Sequence, residues 1–299
     1  MSALDSIVFA VASVTLFLYG LQSFSREVQQ LSDGPLRKSL AHATRNRFVG
    51  ALSGAMTTAV LQSSSAVSAL AIALTNSKIL TLQSVLPVLI GANVGTASTA
   101  FLVSWKAHGL GAYFLLLGSV LSLLPIKVRV LGKSIFYFGF ILFALDQING
   151  ALRPFFNQPF VIEWLSLADS TIVGISVGLI LTAILQSSSV LTGITVILAD
   201  QGLLTLPGAV AVVLGANIGT TATALVASLA MGTIARTAAL ANLGFNFVGV
   251  VLAYFFVSPL SSLASELGNG SVGMSVAYAH LIFQFSRRDY FSRAADPHT

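Results

Sequence analysis

Apolar residues run in long blocks along this chain, separated by short polar or basic stretches, and several blocks reach the roughly 17 to 25 residues that a helix needs to cross a hydrocarbon core. The pattern predicts helices over residues 6–24, 84–104, 109–124, 134–149, 207–230 and 236–257, and a shorter apolar segment from Val272 to Phe285 ahead of a basic, polar tail. Two further segments, 49–75 and 173–199, are apolar except near their middles, where Gln62-Ser63-Ser64-Ser65 and Gln186-Ser187-Ser188-Ser189 stand. Backbone polar groups in lipid must be satisfied within the segment that carries them, which makes the spanning pieces helices. The fold class expected is therefore an all-α polytopic membrane protein.

Composition strengthens that expectation. Of the 299 residues 55% are hydrophobic and 8% charged, with mean hydropathy +0.88; soluble domains carry about 25% charged residues, and 8% cannot cover a water-facing surface. The first apolar segment, Ile7 to Leu21, follows Asp5 and lacks both a basic lead and a small-residue cleavage site, so it reads as a retained helix rather than a signal peptide. The absence of cysteine excludes disulfides, thiolate metal sites and cysteine nucleophiles. A net charge of +5 reads as the basic bias of cytoplasmic loops rather than as affinity for nucleic acid.

The two polar motifs belong to a repeat. Gln62 and Gln186 lie 124 residues apart, as do Gly91 and Gly215, and an ungapped overlay of Val49–Ala100 on Val173–Ala224 gives about 22 identities in 52 positions. The identities cluster at Gly50/Gly54 with Gly174/Gly178, at Thr58-Ala59 through Ser65 with Thr182 through Ser189, and at Gly91-Ala92-Asn93-x-Gly95-Thr96 with Gly215-Ala216-Asn217-x-Gly219-Thr220. The domains expected are a first transmembrane repeat over 1–124, a second over 125–257, and a C-terminal segment with a cytoplasmic tail over 258–299.

Each motif-bearing segment either crosses the membrane or turns back at its polar centre. If both turn back, Arg26, Arg37, Lys38, Arg45, Arg47, Lys78, Lys127, Arg129, Lys133, Arg236, Arg287, Arg288 and Arg293 share one side against Lys106 and Arg153, 13 to 2; if both cross, the division is 11 to 4. Cytoplasmic loops collect Lys and Arg, which favours the re-entrant hairpins. Each repeat then crosses three times and the second enters upside down, the inverted architecture of secondary transporters, with the N-terminus outside and the C-terminus in the cytoplasm of a cell-membrane protein.

Glutamine and serine in a bilayer interior need partners, and irregular backbone is tolerated there where it is buried in protein or lines a cavity. The Gln-Ser-Ser-Ser motifs thus suggest broken hairpin tips whose hydroxyls and free N–H groups face a ligand, with a helix N-terminus aimed at an anion. The Gly-Ala-Asn-x-Gly-Thr segments would supply a second, discontinuous helix: glycines that permit unwinding, an Asn carboxamide oxygen, a Thr hydroxyl and freed carbonyls, all suited to Na⁺. Gly50/Gly54 and Gly174/Gly178 read as helix-packing glycines. His42, His108, His280 and His298 are scattered without metal-ligand spacing, and His280 reads as a buried, hydrogen-bonded residue. Asp146 is expected to face the interface or a polar neighbour. Asn242 and Asn246, four apart on one helix face, fit either interhelical bonding or a supporting role at the site. Neither motif core holds an acid, a base or a histidine, which favours Na⁺ over H⁺ as coupling ion and argues against an enzyme.

Paired QSSS motifs, each followed by GAN-x-GT, resemble the type II sodium-dependent phosphate cotransporter family in a bacterial form, over about Leu16 to Pro259. The resemblance implies two inverted repeats, each with a re-entrant hairpin, and QSSS tips that meet to bind inorganic phosphate. Carried over, Gln62, Ser63, Ser64, Ser65, Gln186, Ser187, Ser188 and Ser189 form the phosphate site. Thr58, Asn93, Thr96, Thr182, Asn217 and Thr220 are the candidates for Na⁺ coordination or its support. Electrogenic members carry an aspartate on the helix after the first GAN-x-GT, whereas Gly109 to Leu124 has no acid here. The implied function is Na⁺-coupled phosphate symport by alternating access in the uptake direction, with Na⁺ as coupling ion, no organic cofactor, and phosphate, sodium and the lipid bilayer as partners. A carrier of another oxyanion such as sulfate, and an anion channel, are the alternatives.

Overall fold

A computed structural model describes residues 3–42, 46–105, 109–152, 154, 158, 163 and 166–294. Arg45, Lys106, Arg153, His108 and His298 lie outside them. Every regular element among the described residues is helical: α1 (Ala3–His42), α2 (Arg47–Leu61), α3 (Ser64–Asn76), α4 (Leu82–Ser104), α5 (Leu110–Ser122), α6 (Ile126–Leu152), a 3₁₀ turn (Leu167–Asp169), α7 (Thr171–Leu185), α8 (Ser188–Asp200), α9 (Leu206–Ser228), α10 (Thr233–Tyr254), α11 (Val257–Leu267) and α12 (Val272–Ala294). Five stretches are long and apolar enough to cross a membrane: Val8–Val28, Leu82–Ser104, Arg129–Ala151, Leu206–Ser228 and Thr233–Tyr254. The chain is thus an all-helical protein of polytopic membrane type. The helix expected over 109–124 forms as α5, but its 13 residues rise about 20 Å at 1.5 Å per residue, short of a bilayer core of about 30 Å. The pattern of apolar residues did not reveal α11, which has 11 residues, too few for a span-length signal.

The helices form two compact units, Met1–Asp33 with Trp105–Trp164, and Gly34–Ser104 with Leu165–Thr299. The first unit joins the greater part of α1 to α5 and α6. Its α5/α6 contact is backbone to backbone: a Cβ on Gly118 would overlap the main chain of Phe136, and one on Gly111 would crowd that of Phe143. Phe138 packs edge-on against Phe114 of α5. Lys133 Nζ lies 3.3 Å from the buried carboxylate of Glu27, linking α6 to α1. Asp146 has a polar neighbour, accepting the Gly109 N–H at 3.1 Å.

The second unit holds everything that the motifs predict. Here α2 packs against α4 and α7 against α9, while α3 also packs on α9 and α8 on α4. Glycines set the first kind of contact. A Cβ on Gly91 would overlap the Ala51 carbonyl and one on Gly215 that of Ile175; Gly54 and Gly178 meet the carbonyls of Val88 and Val212 in the same way. Small residues let backbones approach, which is how helices associate where lipid competes for apolar side chains.

These contacts correct one expectation. No second discontinuous helix exists at GAN-x-GT: α4 and α9 are helical without interruption through Gly91–Thr96 and Gly215–Thr220. The glycines serve close packing, not unwinding, because any side chain there would separate the paired helices. Gly91→Leu and Gly215→Leu are therefore each expected to reduce sharply the fraction of monodisperse protein extracted in mild detergent.

Two of the apolar cores among the described residues repeat the 124-residue offset. Ile72, Leu80, Val88, Leu89 and Ala224 in one correspond to Val196, Leu204, Val212, Val213 and Ala100 in the other. Their covers differ. The first core is closed by Ala235, Ala238 and Ala239 of α10, the second by Val276 and Ala277 of α12. By sequence offset the counterpart of α10 is α5, whereas the helix that covers the second core is α12.

Candidate functional site

Both QSSS motifs break a helix, and in the same way. α2 ends at Leu61, Gln62 turns left-handed (φ 53°, ψ 27°), and Ser63 is extended and caps α3 by accepting the Ala66 N–H at 3.2 Å. α7 ends at Leu185, Gln186 turns left-handed (φ 53°, ψ 24°), and Ser187 caps α8 by accepting the Val190 N–H at 3.4 Å. A left-handed residue after a helix is usually glycine, since a Cβ there costs roughly 1–2 kcal/mol. That glutamine sits at both positions is strain at matched places, the usual mark of a functional constraint. Serine then restarts the chain as a preferred N-cap. The cap satisfies one first-turn N–H, while those of Ser64 and Ser65, and of Ser188 and Ser189, have no acceptor within their own helices.

The two breaks touch. Ser189 Oγ donates to the main-chain oxygen of Gln62 at 3.1 Å, across 127 residues of sequence. Thr99 on α4 joins them, its Oγ1 lying 2.8 Å from Gln62 Oε1 and 3.2 Å from Ser189 Oγ. One hydroxyl proton serves one acceptor at a time; Ser189 uses its own on Gln62, so Thr99 donates to Gln62 Oε1. Both Gln62 amide protons are also engaged, on the Ala59 carbonyl and on Ser98 Oγ at 3.0 Å. Gln62 is buried and bonded, whereas Gln186 is exposed and its side chain makes no hydrogen bond among the described residues. Ser64, Ser188 and Ser189 are buried, and Ser63, Ser65 and Ser187 half-buried.

The Na⁺ candidates are all buried and fall into two equivalent sets. Thr58 packs against Gly95, beside Thr96, and Thr182 packs against Gly219, beside Thr220: a Cβ on either glycine would come 2.7 Å from the threonine Cβ. Thr96 and Thr220 donate to the carbonyls of Ala92 and Ala216 in their own helices, at 3.1 and 2.8 Å. Thr58 Oγ1 and Thr182 Oγ1 do not follow that habit. Each is buried, at 1% and 0% exposure, and has no hydrogen-bond partner among the described residues. An orphaned hydroxyl oxygen at matched positions is a donor type that suits a hard cation.

The two asparagines differ. Asn93 donates to Asn242 Oδ1 at 3.3 Å, and Asn246 donates to the Asn242 carbonyl at 2.9 Å. The Asn242/Asn246 pair thus bonds between helices, with the candidate residue Asn93 as its partner. Asn217 donates to the Val213 carbonyl at 2.8 Å, while its Oδ1 accepts from Gln284 of α12. Gln284 and Asn217 both turn amide nitrogens to His280 Nε2, at 3.0 and 3.4 Å. His280 is buried and hydrogen-bonded, as expected. Gln284→Leu would leave Asn217 Oδ1 buried without this donor. The expected loss is about 1–3 kcal/mol, read as a lower thermal unfolding temperature in detergent.

Sequence reasoning missed Ser98, Thr99 and Gln284. Thr99 was within reach: Thr99-Ala100 and Thr223-Ala224 are identical pairs at the repeat offset, three residues beyond GAN-x-GT. Gln284 carried a weaker signal, a polar residue four after His280 in an apolar segment.

Long apolar helices, joined by pairs of short apolar helices that meet at two strained polar turns, place the chain among polytopic membrane proteins. The chain belongs to the Na⁺/Pi-cotransporter family, whose model matches residues 16–150 and 155–281. It is 28% identical over 275 residues to the uncharacterized protein YqeW of Bacillus subtilis, covering 91% of this chain and 89% of that one. It is 27% identical over 280 residues to the "Putative inorganic phosphate export protein YjbB" of Salmonella typhimurium, covering 93% of this chain and 51% of that protein. A 114-residue stretch is 40% identical to the sodium-dependent phosphate transport protein 2C of Mus musculus, covering 36% of this chain and 18% of that one. The chain thus spans about half the length of the Salmonella relative. No solved structure matches it significantly. Family and relatives together point to phosphate transport, with sodium implied by the family's name.

Proposed function

We infer that this protein is a Na⁺-coupled symporter of inorganic phosphate that works by alternating access in the cell membrane, a carrier rather than an enzyme. The observation that carries this reading is the hydrogen bond from Ser189 to Gln62, which joins two helix breaks that are 124 positions apart in the repeat. The repeats run over 1–124 and 125–257, followed by the C-terminal segment 258–299. They are inverted, with α2/α3 and α7/α8 as re-entrant hairpins, the N-terminus outside and the C-terminus in the cytoplasm. Phosphate sits between Gln62–Ser65 and Gln186–Ser189, held by serine hydroxyls, free first-turn N–H groups and the two positive helix ends, which favour an anion without a lysine. Na⁺ takes the Thr58 and Thr182 hydroxyl oxygens, with Asn93, Thr96, Asn217 and Thr220 beside them as ligands or supports. An anion and a cation bound together lower each other's cost of burial, so each raises the affinity of the other.

The inward Na⁺ gradient drives uptake. The name of the Salmonella relative carries the opposite direction, export, and one experiment separates the two. Purified full-length protein in proteoliposomes is expected to accumulate radiolabelled phosphate when Na⁺ is outside, and not with K⁺ or choline in its place. Excess sulfate should not compete. Phosphate movement indifferent to Na⁺, or inhibited by sulfate as strongly as by unlabelled phosphate, would overturn the reading; efflux driven by Na⁺ inside alone would reverse its direction.

A further inference from the structure

The two helix breaks are alike in backbone and unlike in bonding, and the difference at the breaks centres on one threonine. At Thr99 the first repeat holds a connected set: Thr99 Oγ1 donates to Gln62 Oε1 at 2.8 Å and lies 3.2 Å from Ser189 Oγ, which donates to the Gln62 carbonyl at 3.1 Å. Adding 124 to each number gives Thr223 and Gln186, and subtracting it from Ser189 gives Ser65. In this second set no hydrogen bond is made among the described residues. Gln186 is exposed, Ser65 half-buried, and Thr223 Oγ1 is buried with no partner.

The backbone does not account for the difference, since Gln62 and Gln186 share φ 53° and differ by 3° in ψ. Nor does a habit of the helix. Thr220 and Thr221 on the same α9 donate to carbonyls of their own helix, at Ala216 and Ile218, which is how buried threonines in helices usually satisfy themselves. Thr223 does not do so, and its hydroxyl is left without the hydrogen bond that buried polar groups normally find.

We propose that Thr99 and Thr223 are positioning residues that alternate: Thr99 latches Gln62 and Ser189 in the state seen here, and Thr223 latches Gln186 and Ser65 in the opposite state, after the first latch has opened. The proposal rests on the alternating-access reading above and adds to it which side chains change partners. An inverted pair of repeats exchanges environments between its two end states, so a contact made by one repeat in one state is made by the other in the next. The two sets are not of equal strength. Ser98, which accepts from Gln62 Nε2 at 3.0 Å, has Ala222 as its counterpart, so the Thr223 latch has one hydrogen bond fewer. The Thr99 latch is therefore the resting one.

The chain has no cysteine, so introduced cysteines report without background. In the full chain reconstituted in liposomes, the pair Thr223→Cys/Ser65→Cys is expected to close a disulfide under mild oxidation, as is Thr99→Cys/Ser189→Cys. A second measurement needs no pair and serves if the pairs fold poorly. In Gln186→Cys, Thr99→Val should slow maleimide labelling by roughly 2- to 10-fold, the population shift that one hydrogen bond can supply, and Thr223→Val should not slow it. A 223/65 pair that stays reduced while 99/189 closes overturns the proposal, as does a labelling rate that Thr99→Val leaves unchanged. Phosphate uptake by the unsubstituted protein is measured in the same liposomes. If it fails, the transport reading falls; if it succeeds while labelling does not respond, the latch alone falls.

Discussion

Gln186→Gly is expected to give a protein that folds and inserts as well as the parent and has lost Na⁺-dependent phosphate uptake. The backbone at this position is left-handed, where glycine is the residue without penalty. Its exposed side chain makes no hydrogen bond among the described residues that the change would break. Stability should therefore hold or rise by about 1 kcal/mol. What the change removes is a carboxamide at the proposed anion site, and hydrogen bonds to charged groups are worth roughly 1.5–3 kcal/mol, so uptake should fall roughly 10- to 100-fold. Gln62→Gly relieves the same backbone strain but also forfeits the bonds to Ser98 and Thr99, so it should lose transport and some stability together. Alanine at either position loses transport while keeping the strained turn. Thermal unfolding alongside uptake checks the set. Uptake in the parent's range for both glycine variants would remove the glutamines from the site.

The second large effect is expected at the orphaned threonines. Valine matches threonine in shape and removes its hydroxyl, and at Thr58 and Thr182 that hydroxyl has no partner to lose among the described residues. Removing an unsatisfied buried polar group relieves a desolvation cost of about 1–3 kcal/mol, so Thr58→Val and Thr182→Val should be at least as stable as the parent in Na⁺-free buffer. The same hydroxyls are the proposed Na⁺ ligands, and loss of one should raise the Na⁺ concentration for half-maximal uptake by about tenfold or more. Thr58→Ser and Thr182→Ser keep the oxygen and should restore Na⁺ dependence. A merely structural threonine would show the reverse: lower stability in the valine variants and no change in Na⁺ dependence.

These predictions concern residues that the sequence singled out, and the reason is physical. A glutamine and three serines in an apolar run violate the rule that lipid-buried segments are apolar, and the violation recurs at a fixed offset, so the motif stands out against its surroundings. The helices themselves were legible because apolar length marks a span. Partners were not. Nothing in the neighbourhood of Gln284 says that it meets Asn217, since the 67 residues between them must fold before the contact exists. Gly91 and Gly95 misled for a related reason: glycine permits unwinding and also permits close approach, and only the carbonyls of Ala51 and Ala55 opposite them decide which use applies. α11 escaped because a short amphipathic helix carries no span-length signal. The unequal treatment of two identical motifs, one glutamine buried and one exposed, is a property of a conformation, which a repeat in sequence cannot express.

The central claim is that two helix breaks, one from each repeat, meet to hold one phosphate ion with uncharged donors. Its most direct test is an experimental structure of the full chain determined with phosphate and Na⁺. The account predicts tetrahedral density within hydrogen-bonding distance of serines from both 63–65 and 187–189. Phosphate bound away from these turns, or coordinated by one turn with the other remote, would contradict it.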